Sequence, residues 1–214
     1  MFEYILFDFD GTVFDTVEGI SKSVRYAINR FGIDAELEEL RCFAGPPLKD
    51  MFRDTFHFSE DEAQKAVDYF RERYVPEGIY ECSVFPGIKD LLYDLKCAGK
   101  KTGIATSKPQ NLATLLLERE NMTGLFDIIC GSTPGKNDES KALVLSKTMD
   151  ILHADQDSTV LVGDTKYDIL GAKACGIANI GVRYGYAAPG ELELAGADLI
   201  VGDMTELRSA LLDE

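Results

Sequence analysis

From Pro86 onward the chain alternates short apolar runs with stretches of helical period, and this constrains the fold more than any other feature of the sequence. Pro86-Gly87 leads into a helix carrying Ile88, Leu91, Leu92 and Leu95, stopped at Gly99. Lys101 to Thr106 reads as a strand, and a helix with Leu112, Leu115 and Leu116 on its apolar side follows. Phe126 to Cys130 is the next strand, then a polar loop from Gly131 to Ser140, then a helix opened by Ser140-Lys141 with Ala142, Leu145 and Met149. Thr159 to Val162 is a strand ending in Gly163-Asp164, followed by a helix over about 168–175 and a strand from Ala178 to Val182. A helical segment at 189–195, a short strand from Asp198 to Val201 and a helix capped by Asp203 complete the pattern. Repeated strand–helix–strand units predict a parallel sheet with helices on both faces.

One more strand stands apart from this series. Tyr4 to Phe7 is an apolar run of the kind buried on both faces in a parallel sheet. Between it and Pro86 the alternation is missing. Asp15 or Thr16 can cap a helix bearing Ile20, Val24, Ala27, Ile28 and Phe31, with Gly32 as its stop. Phe43-Ala-Gly-Pro-Pro-Leu-Lys49 signals a turn, and a helix is expected from about Leu48. Ser59 and Glu62 form a capping-box pattern for a helix with Ala63, Ala66, Val67, Phe70 and Tyr74 on one face. The expected organisation is therefore a Rossmann-like α/β core, residues 1–15 and 83–214, with an inserted α-helical domain, residues 16–82.

Composition removes several function classes. The net charge of −15 argues against a nucleic acid polymer or an anionic membrane as partner, since both call for a basic surface. The five cysteines are odd in number and contain no Cys-x-x-Cys, so they read as reduced, mostly packing residues of a cytoplasmic protein. The two histidines, His57 and His153, are too few and too distant to suggest a zinc site. No apolar run approaches the length of a membrane span, and the acidic N-terminal residues do not read as a signal peptide.

In open parallel sheets ligands bind beyond the carboxyl ends of the strands, so the residues there are the candidates. After the first strand come Asp8 and Asp10, on one face of the chain by the two-residue period, followed by Gly11, which permits a tight turn and close approach to a ligand. Two neighbouring carboxylates repel, and a divalent cation such as Mg²⁺ suits their oxygens. Thr106 and Ser107 end another strand and open a helix, where free N–H groups attract anions. Asp164 and Asp168 follow a third strand; a metal ligand and a helix-cap acid are both open readings. Lys141 opens a helix from which it can reach inward, with Lys136 and Lys147 as competitors for the same role.

Asp8-Phe-Asp-Gly-Thr-Val-Phe-Asp15 resembles the first motif of the haloacid dehalogenase superfamily in its phosphatase form, and Thr106-Ser107, Lys141 and Gly163-Asp164 with Asp168 are similar to the other three, in order. The resemblance implies that Asp8 is a nucleophile forming an aspartyl-phosphate and that Asp10 protonates the leaving group and then activates water. It implies Mg²⁺ on Asp8, the Asp10 carbonyl and Asp164, with Asp168 orienting a metal-bound water or Lys141. Phosphate would lie against Asp8, Gly11, Thr12, Thr106, Ser107 and Lys141. The helical insert resembles the cap of the phosphoglycolate phosphatase and β-phosphoglucomutase branch, whose cap loop would correspond to Gly45, Pro46 and Lys49. The implied activity is hydrolysis of a small phosphorylated metabolite, phosphoglycolate-like or a nucleoside monophosphate. The alternatives are a phosphomutase or phosphonate hydrolase of the same fold, or a phospho-Asp signalling protein that does not hydrolyse its phosphate.

Overall fold

Strand β1, Tyr4–Phe7, is the strand around which the sheet is laid out, and Ile5, Leu6 and Phe7 are wholly buried. A computed structural model describes residues 2–133 and 140–213 of the chain. The chain divides into two compact units, Met1–Phe14 with Val84–Glu214, and Asp15–Ser83. It passes between them at β2, Phe14–Asp15, and at β3, Ser83–Val84, two-residue strands that no apolar pattern signals.

In the second unit, α1 spans Val17–Asn29, α2 Leu48–Phe56 and α3 Glu60–Tyr74. The Ser59–Glu62 capping box forms as the sequence predicts. The start of α1 is different: Thr16 is the N-cap residue but its side chain makes no cap bond, and the Asp15 carboxylate instead accepts from the Val17 N–H at 3.3 Å. Phe31 lies past the end of α1 and packs on Phe58 and Tyr69 at 4.6 and 5.9 Å between ring centroids. Phe58 continues the stack to Phe56, at 5.7 Å, and Phe56 meets Phe43 and Phe52. Beside buried aliphatic side chains such as Val24, Ile28, Leu40 and Ile79, this small unit relies on large rings, which bury more area per residue. α1 also packs tightly on the turn at Gly78–Tyr80, where a Cβ on Gly19 would sit 1.9 Å from the Gly78 carbonyl oxygen.

In the first unit the helices are α4, Ile88–Cys97, and α5, Gln110–Arg119, flanking β4, Lys101–Pro109. Then follow β5, Ile128–Ser132; α6, Lys141–Leu152; β6, Thr159–Gly163; and α7, Lys166–Ala174. β7, Ala178–Val182; α8, Glu191–Ala195; β8, Leu199–Val201; and α9, Met204–Leu212 complete it. Among the described residues the large sheet is parallel, in the order β5-β4-β1-β6-β7-β8. One sheet face, with Leu6, Ala105, Cys130 and Leu161, packs on Val144, Leu145 and Met149 of α6 and Ala172 of α7. The chain leaves β1 to build β4 and β5 on one side and returns to build β6 to β8 on the other, so the order reverses at β1. This is the position in a doubly wound sheet where a crevice opens at the strand ends.

Two packing expectations need correction. The buried face of α5 is Ala113, Leu116 and Leu117, with Leu115 exposed. The cysteines are all free, but Cys130 alone of the five is buried, while Cys42 and Cys97 are exposed. Sequence separates a core cysteine from a surface one only through its neighbours, and the exposed Cys97 is the last residue of α4.

The second unit also holds a partly buried ion cluster. The Arg73 guanidinium grips both Glu81 carboxylate oxygens, at 2.9 and 3.0 Å, and Lys22 reaches Glu81 at 2.9 Å. The hydrogen bonds from Arg73 hold the Glu81 carboxyl below its usual range. A group with a lowered folded-state pKa stabilises the fold above its unfolded pKa, and that contribution is lost as pH falls through the folded value. Glu81→Gln is therefore expected to cost roughly 1–2 kcal/mol at neutral pH and progressively less below about pH 4.3, as measured by thermal unfolding across that range.

Candidate active site

The site is built where β1 and β6 end side by side. The Asp8 N–H still donates to the Val162 carbonyl at 2.9 Å, so the last rung of the ladder fixes the nucleophile candidate. The chain then turns sharply. The Phe9 carbonyl accepts from the Val13 and Phe14 N–H groups at 3.0 and 2.9 Å, and the Phe9 and Phe14 rings stack at 4.6 Å. Gly11 has φ +81°, and a Cβ there would fall 2.0 Å from an Asp164 carboxylate oxygen, so both backbone conformation and space require glycine.

Lys141, the first residue of α6, brings the acids together. Its Nζ lies 2.5 Å from Asp8 Oδ1 and 2.7 Å from Asp168 Oδ1, with all three side chains buried. Its stem runs along α7 at Gly171, where a Cβ would meet Lys141 Cγ at 2.7 Å. Asp168 is itself fixed, because its other oxygen accepts from the Thr165 N–H and hydroxyl at 3.0 and 2.9 Å. Of the competing lysines, Lys147 is exposed, and Lys136 lies outside the described residues.

Asp164 is completely buried and accepts from the Thr12 hydroxyl at 3.2 Å and the Tyr186 N–H at 2.8 Å. Asp8, Asp164 and Asp168 each offer an oxygen within 4.8 Å of the others. Burial, reinforced by the charges of Asp168 and Asp10 and opposed by Lys141, pushes the Asp8 carboxyl up to about 6. Burial and the charges of Asp168 and Asp8 raise Asp164 well above the carboxylate range. Burial would lower Lys141, but Asp168 and Asp8 outweigh it and raise its pKa.

Asp10 points to a different cation: Lys108 Nζ lies 2.9 and 3.3 Å from its two carboxylate oxygens. Lys108 is the residue that sequence reading missed, although it stands two residues after Thr106. Thr106 is buried and its hydroxyl accepts from the Lys108 N–H at 3.2 Å, while Ser107 is exposed. Four acidic side chains, Asp8, Asp10, Asp164 and Asp168, are thus served by two ammonium groups, an excess of two acids over bases. Hard oxygen donors in such excess fit Mg²⁺. Asp168 is occupied by Lys141 and Thr165, which leaves Asp8 and Asp164 as the better-suited side-chain donors.

The segment Tyr184-Gly185-Tyr186 contributes through its backbone as well as its rings. Tyr184 packs on Phe85 and its hydroxyl donates to the Thr12 carbonyl at 3.1 Å. A Cβ on Gly185 would sit 2.2 Å from Asp164 Cβ and 2.6 Å from the Gly11 carbonyl oxygen. Gly45, Pro46 and Lys49 belong to the second unit, at the turn into α2, where Lys49 pairs with Glu60 at 2.8 Å.

The haloacid dehalogenase-like hydrolase family model matches residues 5–182. A 5'-nucleotidase of Pseudomonas aeruginosa is 37% identical over 208 residues, covering 97% of this chain and 94% of that protein. The tyrosine-protein kinase PtkA of Mycobacterium tuberculosis is 32% identical over 212 residues, covering 98% of this chain and 72% of that protein. The crystal structure of a predicted phosphatase from Clostridium acetobutylicum superimposes with a TM-score of 0.96 at 38% identity, over 100% of both chains. The chain belongs to the haloacid dehalogenase-like hydrolases. Within that family, its similarity to proteins named for phosphate-ester hydrolysis makes it a phosphatase, a phosphoric monoester hydrolase.

The space around Asp164 gives a direct test. Gly185→Ala is expected to lower phosphatase activity on an aryl phosphate about 10²-fold by displacing Asp164, with the circular dichroism spectrum unchanged.

Proposed function

We propose that this phosphatase is Mg²⁺-dependent and hydrolyses a small phosphorylated metabolite, a nucleoside monophosphate or a phosphoglycolate-like compound, through phosphorylation of Asp8. The observation that carries this reading is the buried Lys141 shared by Asp8 and Asp168 beside Asp164. A carboxylate attacking a phosphoryl group meets charge repulsion, and a fixed ammonium at 2.5 Å offsets it where the charges must approach.

In this mechanism an Asp8 oxygen forms a bond to phosphorus as the bond to the leaving oxygen breaks, and Asp10 gives that oxygen a proton. Asp10 then takes a proton from water, whose oxygen attacks the phosphorus of the aspartyl-phosphate and releases inorganic phosphate and the Asp8 carboxylate. Mg²⁺ held by Asp8, Asp164 and the Asp10 carbonyl would supply charge that screens the phosphoryl oxygens from the nucleophile. Thr106, Ser107, Gly11 and Thr12 are the groups suited to the non-bridging oxygens. The helical unit, with Gly45, Pro46 and Lys49, is assigned substrate selection as a cap. The nucleotidase relative supports the nucleoside monophosphate class.

A second reading, transfer of phosphate to a tyrosine side chain, is favoured by the similarity to PtkA. One experiment separates the two. Phosphate release from a panel of nucleoside monophosphates and small phosphorylated acids is expected to require Mg²⁺, to stop with chelator and to fall at least about 10³-fold in Asp8→Asn. Label from γ-phosphate-labelled ATP appearing on protein tyrosine, with no release from the panel, would overturn the hydrolase reading.

A further inference from the structure

The mechanism above leaves one buried cation at the site without a task. Lys108 has a side chain 4% exposed, and it contacts both oxygens of Asp10, itself 14% exposed. A buried ammonium is costly unless it is paired, so its retention here calls for a role.

Its position is set by an irregularity in the sheet. The pairing of β4 with β5 runs regularly to Ala105–Cys130 and resumes only at Pro109–Ser132, with a register shift between. Such shifts bend a strand and re-aim its side chains. The chain path is held closely by Gly131, where a Cβ would lie 2.5 Å from the Lys108 carbonyl oxygen. Along the shifted stretch Thr106 is buried, Ser107 exposed and Lys108 buried. The Lys108 N–H is anchored on the Thr106 hydroxyl at 3.2 Å, and its Nζ lies 5.6 Å from the centre of the Phe9 ring. The ammonium is therefore held from its backbone, from the aromatic ring and from the carboxylate.

We infer that Lys108 is a positioning residue for Asp10, holding the carboxyl group in the orientation from which it exchanges a proton with the leaving oxygen. The inference rests on the proposed role of Asp10. Two contacts from one ammonium restrict rotation of the carboxyl group. The ammonium also supplies Asp10 with a partner other than Lys141, which Asp8 and Asp168 already share. A carboxyl group free to rotate would spend little time aligned with the scissile oxygen, and general acid catalysis depends on that alignment.

Leaving-group basicity provides a readout that a merely structural role would not move. Phenyl phosphate and p-nitrophenyl phosphate have nearly the same shape, but phenol is the more basic leaving group and depends more on protonation. In Lys108→Met, kcat/KM for phenyl phosphate is expected to fall about 10²-fold and that for p-nitrophenyl phosphate no more than about fivefold. Lys108→Arg, which keeps the charge, should restore the wild-type ratio between the two substrates. In an Asp10→Asn background, Lys108→Met should leave the ratio as it is. Because both substrates are measured on one preparation, loss of folded protein lowers both equally. Equal losses, or none, overturn the role of Lys108 while leaving the phosphatase mechanism intact; if Lys108→Met is insoluble, Lys108→Gln is judged by the same ratio. Full activity in Asp8→Asn would instead overturn the Asp8 mechanism, and the role of Lys108 with it.

Discussion

Repulsion among buried carboxylates is the constraint on which the α/β unit depends, and Lys141 is its main counterweight. Asp8 and Lys141 are 133 residues apart in the chain and 2.5 Å apart in space. For this contact to form, α6 must begin at Lys141, a start fixed by Ser140, whose side chain accepts from the Leu143 N–H. α7 must lie close enough to receive the lysine stem, which Gly171 allows, and Asp168 must be turned toward it, which Thr165 ensures. Removing one partner from such a group leaves an uncompensated charge away from water, so the helices of this face and the acids hold each other in place.

Around Asp164 the same economy of space appears in the backbone. Gly11 and Gly185 approach the carboxylate from two loops, Thr12 and Tyr186 each donate one hydrogen bond, and none of these contacts tolerates an added methyl group at either glycine. The family match and the relatives span proteins named for different activities over nearly the whole chain. One fold with different names attached is what arises when function depends on particular residues of a site and not on the fold that carries it.

Much of this was legible in the sequence because it follows from periodicity. Strand–helix alternation gave the parallel sheet and the strand-end edge to which Asp8, Lys141 and Asp164 belong, whereas the two-residue period that put Asp8 and Asp10 on one face stops with β1 at Phe7, and the two acids pair with different lysines. What stayed hidden depends on departures from period. Lys108 reaches Asp10 through a register shift in β4 that a regular strand pattern does not encode. Tyr186 acts through its N–H, which carries no residue signature, although a glycine between two tyrosines just after a strand was a signal of close packing. On α5 the apolar Leu112, Leu115, Leu116 and Leu117 offer two overlapping faces, and packing on β4 and β5 selected the one that includes Ala113.

The position of β1 at the centre of the sheet has a consequence for how the protein comes off the ribosome. Tyr4–Phe7 is synthesised well before its two neighbours, β4 and β6, which begin at Lys101 and Thr159. The unit Asp15–Ser83 is contiguous and has its own aromatic core, so it can form while the sheet still lacks partners. During that interval the apolar strand has no neighbouring strand to pair with. The nucleophile at the tip of that strand acquires its lysine only after Lys141 has been added, so the half-made chain carries no assembled phosphoryl-transfer cluster.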